Sequence, residues 1–253
     1  TKGLGGGADP RVGREAALRR GFSPDVVRIV PHGVDLEQYR PGLTCEQLAQ
    51  HRIRGRILTC RTSYTEPGEA ELVLDSFTRT IGQRGDWSLV FAGVGAAPAP
   101  LRASAQRLGV GAYVHFLDLA EASFAQLISS STLFAIPRER GSASLLDLAR
   151  AFACGVPALA VDSVRTRSLL AHDEHGLLVS GSGLEAWTEA LRRGASSPEA
   201  RKRWGRAARR LAEETFSWSA VATNFETSLR VATTNAADPA RVAPGSAAHA
   251  ARG

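Results

Sequence analysis

The sequence contains no methionine, and Lys2 and Lys202 are its only lysines, so arginine carries almost all of the net charge of +6. The lack of an initiator methionine predicts a fragment, a processed product or a trimmed chain. No apolar run approaches the roughly 20 residues that a membrane-spanning helix needs. A transmembrane segment is therefore not expected.

Paired cysteines and metal-binding spacings are also lacking. Cys45, Cys60 and Cys154 are odd in number and lie far apart, which predicts reduced thiols in a cytoplasmic protein. His172 and His175 flank two acidic residues, and this grouping in the sequence resembles a set of metal ligands. An exposed turn before the next glycine is the favoured interpretation, and no metal is expected.

The residues that are present suffice for a globular core, since 43% are hydrophobic and 22% are charged in a chain of 253. The excess of arginine admits a phosphorylated substrate, nucleic acid or an anionic membrane surface as partner. The most basic segment, residues 201–210, favours a solvated helix face over either macromolecular partner. Peripheral contact with an anionic membrane stays open, and nucleic acid is the less favoured partner.

Apolar strands alternate with amphipathic helices from about residue 50 to 195. Strands are expected at 56–60, 87–92, 113–117, 133–136, 158–161 and 177–179, and helices at 69–82, 100–108, 121–130, 144–153 and 164–171. Strands that are apolar throughout are typical of a parallel sheet covered on both faces. The pattern predicts an α/β fold: a Rossmann-like doubly wound parallel sheet of about six strands with trailing C-terminal helices. Those helices are expected at 184–193, 198–214 and 217–231, followed by a disordered tail over 232–253.

Ligands of open parallel sheets bind beyond the carboxyl ends of the strands, where helix N-termini favour anions. Three of the loops expected there combine arginine with serine or glycine, namely residues 61–63, 138–144 and 163–167. This chemistry predicts a phosphate-bearing ligand. Polar, solvated loops without a ligand are the alternative.

Six segments stand in one order and spacing over residues 26–230. They are Arg28–Asp35 (RIVPHGVD), Leu89–Gly95 (LVFAGVG), Gly109–Leu117 (GVGAYVHFL), Ala151–Pro157 (AFACGVP), Gly176–Val179 (GLLV) and Glu213–Trp218 (EETFSW). Together they resemble the C-terminal, donor-binding domain of the retaining GT-B glycosyltransferases of family 4. The resemblance implies a remnant of an acceptor domain with the interdomain junction over residues 1–43, and a nucleotide-sugar donor domain over 44–231.

The resemblance also implies a function. A nucleoside diphosphate sugar would be bound for retaining transfer of a hexosyl unit to an acceptor hydroxyl, without metal or cofactor. A chain that supplies the acceptor domain becomes an expected partner, and the expected location is cytoplasmic or peripheral at the membrane. The implied donor-binding residues are Arg61, Gly93, Gly95, Leu117, Ser142, Ala143, Ser144 and Leu145, with Arg165 as a substitute phosphate contact.

The family's two glutamates, eight residues apart, are missing from the matching positions, where Ser142 and Arg150 stand. Glu139 and Asp147 also lie eight apart and restore an acidic pair if three residues are inserted before Ala153. These two carboxylates are the candidate catalytic residues, which would orient the sugar or the ribose. The alternatives are a solvated loop acid for Glu139 and a helix-capping acid for Asp147, because residues 144–147 have a capping-box pattern.

The family's phosphate-binding lysine is missing as well, since Glu66, Pro67 and Gly68 occupy its place. Together with the displaced acidic pair, this loss favours an alternative function. The chain would then be a catalytically eroded, non-enzymatic relative that binds a nucleotide weakly or supports a partner glycosyltransferase.

Overall fold

A computed structural model describes residues 18–20, 32–62, 68–93, 99–138, 142–181 and 183–236. One compact unit comprises Val34–Glu214, and the other comprises Thr1–Gly33 and Thr215–Gly253. Two of the predicted site residues, Gly95 and Glu139, lie outside the described residues. The predicted domain limits at 43 and 231 stay predictions.

Six strands form one parallel sheet in the larger unit. They are β1 (Arg56–Thr62), β2 (Trp87–Gly93), β3 (Val114–Asp118), β4 (Leu133–Ile136), β5 (Ala158–Val161) and β6 (Gly176–Val179). Their order across the sheet is β3-β2-β1-β4-β5-β6, and all neighbours run parallel. The order reverses between β1 and β4, which makes this pair the topological switch point of the sheet. The predicted Rossmann-like doubly wound α/β fold is confirmed.

The α-helices of the described residues are α1 (Glu46–Gln50), α2 (Glu69–Thr80), α3 (Ala99–Arg107), α4 (Glu121–Ser129), α5 (Ser142–Ala153), α6 (Leu184–Ser196), α7 (Pro198–Leu211) and α8 (Trp218–Ala236). A short π-helical segment, Ala212–Phe216, follows α7. Helix α8 belongs to the smaller unit. Most helices begin or end within a few residues of the predicted bounds.

The helix predicted at 164–171 is wrong, because only a 3-10 turn forms there, over Thr166–Ser168. The Thr166 hydroxyl donates to the Val161 carbonyl and also accepts the Ser163 backbone N–H at 3.0 Å. Such local side-chain bonds compete with helical backbone bonds. They hold the chain in a turn after β5.

The core lies between the sheet and its helices. Strand β2 is buried along its whole length, as expected for a central strand of a parallel sheet. Helix α2 buries Ala70, Leu74 and Phe77, each 5% exposed or less, and these residues form the apolar face that the helical spacing predicts. Burial of a side chain of the size of Leu74 or Phe77 contributes about 1.5–3 kcal/mol.

Helix α5, which follows the switch point, has a defined end. Gly155 has a φ of +69°, and its N–H donates to Phe152 while the Val156 N–H donates to Ala151. This pattern is a Schellman motif, in which glycine takes the left-handed position at little cost. The glycine of the AFACGVP segment therefore ends α5 and fixes its length.

Candidate functional site

A cleft of about 200 Å³ opens beside the carboxyl ends of β1 and β4. Its walls come from the end of β1, the start of α2, the apolar residues of β4 and the first turns of α5. The charged residues that line it are Arg61, Glu69, Arg138, Asp147 and Arg150. The cleft therefore lies at the topological switch point, where open α/β sheets bind their ligands.

One carboxylate in this cleft is shared by two guanidinium groups. The Nη1 atoms of Arg61 and Arg150 donate to the same Oδ1 of Asp147, at 2.9 and 3.1 Å. The Asp147 side chain is only 13% exposed. Burial raises the pKa of Asp147, and the two arginines act against that rise.

Arg150 is fixed from the opposite side as well. Its guanidinium pairs with Glu121 of α4 and lies 5.2 Å from the centre of the Tyr39 ring. The Tyr39 hydroxyl donates to the same Glu121 carboxylate. Burial and this hydrogen bond raise the pKa of Tyr39, so the phenol remains protonated and keeps its role as a donor. Arg150 thus has a carboxylate on each side and an aromatic ring beneath it.

Arg61 is oriented by two contacts. Its guanidinium carbon lies 4.2 Å from the centre of the Phe124 ring, within the range of a cation–π interaction. Nη1 is bonded to Asp147, whereas Nε and Nη2 donate to no residue that the structure describes. Its side chain is 33% exposed. Arg61 therefore lines the cleft with donor capacity left for a ligand.

Arg61, Ala143, Ser144 and Asp147 are the predicted site residues that line the cleft together. The other described ones do not line it: Gly93, Leu117, Leu145 and Arg165. Ser142 is the first residue of α5.

The capping alternative for Asp147 is wrong. Helix α5 begins two residues before Ser144, and the Ser144 hydroxyl is directed to the Arg138 carbonyl at 3.5 Å. The carboxylate of Asp147 accepts from arginine side chains rather than from the backbone of the first turn. Asp147 is thus a cleft residue.

The arginines after β5 lie in a separate loop. Arg167 forms a two-pronged ion pair with Asp162, with Nη2 and Oδ2 2.8 Å apart. The hydrogen bond from Arg167 is the main reason that the pKa of Asp162 is lowered. The charge of Arg167 is thereby balanced within its own loop, and the substitute phosphate contact assigned to Arg165 stays a prediction.

The histidines after β5 support the backbone. His172 accepts the Leu178 N–H and His175 accepts the Ala171 N–H, both through Nδ1 at 3.1 Å. The predicted exposed turn is wrong for His175, which is 8% exposed because it packs against the Phe152 ring. Over the ranges that the structure describes, no three His, Cys, Asp or Glu side chains come together as metal ligands do.

The basic helix α7 uses two of its arginines internally. Arg201 is buried and donates to the carbonyls of Gly194 and Ala195 at 2.8 and 2.7 Å. Arg209 donates to the carbonyl of Tyr39 at 3.2 Å. These cations stabilise neighbouring segments, so they are not part of a solvated face. No helix in the described part of the chain has the length and hydropathy to cross a membrane.

Sequence reasoning did not predict the contacts of Glu121, Phe124 and Tyr39. Tyr39 lies four residues after the segment Arg28–Asp35 that resembles the family, but nothing in that resemblance points to Glu121. The two residues are 82 positions apart in the chain. Only tertiary packing, of helix α4 and of the chain at Tyr39 beside α5, brings them to Arg150.

A family profile described as glycosyl transferases group 1 matches residues 66–211. This match spans more than half of the chain, so the protein belongs to that glycosyltransferase family. The fold is that of the C-terminal domain of GT-B members. Assignment to family 4 within this group stays a prediction.

Curated relatives share this assignment. The chain is 30% identical over 230 residues to D-inositol 3-phosphate glycosyltransferase of Rhodococcus jostii, covering 85% of this chain and 49% of that protein. It is 31% identical over 225 residues to the protein of the same name from Rhodococcus opacus, covering 85% and 50%. The chain therefore spans about half the length of the curated relatives it matches.

Solved structures agree on the fold. The C-terminal domain of LpcC, a glycosyl transferase group 1 protein from Francisella tularensis, superimposes with a TM-score of 0.63 at 16% identity, covering 74% of this chain and 100% of that domain. Anabaena HepE in complex with UDP-glucose gives 0.68 at 16% identity, covering 91% and 63%. At such identities the likeness establishes the fold alone.

Proposed function

We propose that this chain is the donor-binding part of a glycosyltransferase and that the cleft between β1 and β4 binds a nucleoside diphosphate sugar. The observation that carries this proposal is the place of Arg61, which lines the cleft with the first turn of α5. Arginine matches phosphate oxygens with two parallel hydrogen bonds. The unpaired N–H groups of a first helical turn also favour an anion.

The proposed reaction is retaining transfer of a hexosyl unit to an acceptor hydroxyl. Negative charge grows on the leaving diphosphate as its bond to the sugar breaks. Arg61 and the backbone of Ser142–Leu145 would stabilise that charge where it develops. Glu139 and Asp147 remain candidates for orienting a hydroxyl, and we propose that the reaction requires no metal. The other implied donor contacts, namely Gly93, Gly95, Leu117 and Arg165, are part of the same proposal.

Transfer takes two substrates, and the chain spans about half of its curated relatives. We therefore assign the activity to this domain together with an acceptor-binding domain, in the same or a partner chain. The curated relatives are named for D-inositol 3-phosphate, which makes a phosphorylated polyol the first acceptor to test. The three cysteines are free and buried, in keeping with the cytoplasmic location proposed here, and peripheral contact with an anionic membrane remains part of the proposal.

A second candidate function rests on the charges in the cleft. Arg150 stands where the family has its second glutamate, and it is paired with Asp147 and Glu121. A guanidinium cannot accept hydrogen bonds from ribose hydroxyls. This arrangement favours the non-enzymatic relative, which would bind a nucleotide weakly or support a partner glycosyltransferase.

Calorimetric titration tests the donor proposal. UDP, GDP and ADP and their glucose conjugates are titrated into the folded chain, and at least one of the sugar nucleotides is expected to bind. Arg61→Ala should weaken that binding by about tenfold or more, since hydrogen bonds to charged groups contribute about 1.5–3 kcal/mol. Arg56→Ala is the matched control, because Arg56 begins the same strand outside the cleft.

Absence of binding by every nucleotide and sugar nucleotide in a folded sample would contradict the donor proposal. Where a sugar nucleotide binds, transfer is measured with and without an acceptor-binding domain. Binding without transfer in the complete assembly identifies the non-enzymatic relative.

A further inference from the structure

The charges of the described residues around Asp147 balance one another. Arg61, Arg138 and Arg150 supply the positive charges that line it, and Glu69 and Asp147 supply the negative ones. Glu121 adds a third carboxylate behind Arg150. The described charged side chains at this cleft therefore sum to no net positive charge, although three of them are arginines.

We propose that Asp147 is a built-in counter-ion of Arg61, so that a diphosphate competes with the Asp147 carboxylate for the Arg61 guanidinium. The inference rests on the proposed function only in taking a diphosphate as the natural anion. In this role the charge of Asp147 lowers the affinity for the ligand, whereas an acid that orients a hydroxyl would raise it. Removal of its charge strengthens ligand binding instead of weakening it.

The competition is electrostatic. Nε and Nη2 of Arg61 donate to no described residue, so the guanidinium has donors available for a phosphate oxygen. The Asp147 carboxylate, however, stands 2.9 Å from Nη1 and would face the incoming diphosphate. Like charges a few ångströms apart in a partly buried site repel strongly, because little water screens them.

Arg150 makes the exchange feasible. A buried carboxylate left without a partner is strongly destabilising. When Arg61 turns to a ligand, Asp147 keeps its bond to Arg150 at 3.1 Å. Arg150 itself is held in place by Glu121 and by the Tyr39 ring. It therefore acts as the permanent partner of Asp147, which gives a positioning role to the arginine at the family's glutamate position.

The test is the affinity of the full chain for two probes, UDP-glucose and inorganic pyrophosphate, measured by calorimetry. Asp147→Asn is expected to lower both dissociation constants by about tenfold, which corresponds to about 1.4 kcal/mol. In an Arg61→Ala background the same substitution should give a clearly smaller gain, because the competition for Arg61 is then absent and only the direct repulsion by Asp147 is relieved. A hydroxyl-orienting Asp147 predicts the reverse: weaker UDP-glucose binding and no change for pyrophosphate.

Asp86→Asn is the matched control. Asp86 pairs with Arg56 at the other end of β1, so the substitution removes the same charge from the same kind of pair outside the cleft. Affinity for both probes should not change. Circular dichroism and thermal unfolding confirm the fold of each variant, and Asp147→Ser, also uncharged, replaces Asp147→Asn if the latter does not fold.

The outcomes separate this inference from the proposed function. Tighter pyrophosphate binding by Asp147→Asn without any UDP-glucose binding upholds the counter-ion and contradicts the donor proposal. Wild-type binding of UDP-glucose that Asp147→Asn does not strengthen overturns the counter-ion and leaves the donor proposal intact. No binding of either probe by any variant overturns both.

Discussion

Strand β1 has an arginine near each end, and the two arginines make the same kinds of contact. At the amino end Arg56 pairs with Asp86, and at the carboxyl end Arg61 pairs with Asp147. Each guanidinium also lies over an aromatic ring, at 5.9 and 4.2 Å from the ring centre. An ion pair beside an aromatic ring is therefore not enough to mark a functional site.

Burial and position distinguish the two ends. The Asp86 side chain is 48% exposed and that of Asp147 is 13% exposed. Water and salt screen the first pair, so it adds little to stability, whereas the second pair has a further partner in Arg150. The second pair also lies at the switch point, where a ligand can reach it. The same contacts thus support the strand at one end and form a cleft at the other.

The largest expected effect is on stability. Arg150→Glu would place a third carboxylate between Asp147 and Glu121, and breaking a buried pair in this way lowers the free energy of unfolding by about 3–5 kcal/mol. Arg56→Glu beside the exposed Asp86 should lower it by less than about 1 kcal/mol. Urea unfolding of both variants measures the difference. Equal losses would show that the two ends of β1 are energetically alike and would remove the basis of the comparison.

A smaller effect is expected from two tyrosine hydroxyls. Tyr39→Phe removes the hydrogen bond to Glu121, and bonds to charged groups contribute about 1.5–3 kcal/mol. Tyr113 lies directly before β3, and its hydroxyl donates to no described residue. Tyr113→Phe should therefore stay within about 0.5 kcal/mol of the wild type. A loss in Tyr39→Phe no larger than in Tyr113→Phe would show that the network behind Arg150 contributes no stability.

The comparison also shows which features of the site were predictable. Parallel strands end at one edge of a sheet, so the sequence alone predicts that Arg61, Ala143 and Ser144 meet near a helix start. Asp147 was found through its spacing from Glu139, and it does line the cleft. The place of Arg61, Ala143 and Ser144 in the fold was predictable because strand ends and helix starts are local properties of the chain, and their role in binding stays a prediction.

The partners of these residues were not predictable. Arg61 and Asp147 are 86 positions apart, and nothing in their local sequence distinguishes this pair from a solvated arginine and a capping acid. Phe124 and Glu121 reach the network because helix α4 packs beside α5, which periodicity does not specify. The helix predicted after β5 was wrong for a different reason. The Thr166 hydroxyl bonds to backbone groups that a helix would otherwise pair.

The last prediction concerns how the free energy of unfolding depends on pH through His175, which lies where β6 begins. Burial lowers the pKa of His175, with the neighbouring Glu174 raising it and Arg210 lowering it. Well above the ordinary histidine pKa of about 6.5, His175 is neutral in both the folded and the unfolded chain, and its contribution to stability is complete. As the pH falls below that value, the unfolded chain binds a proton that the folded chain does not, so the free energy of unfolding declines. Urea unfolding across this pH range should show the decline, and the decline should be smaller in His175→Gln.

Affinity for UDP-glucose near pH 7 should not change in His175→Gln, because His175 lies before β6, away from the switch point. A loss of UDP-glucose affinity in His175→Gln would show that the region where β6 begins is coupled to the cleft at the carboxyl ends of β1 and β4.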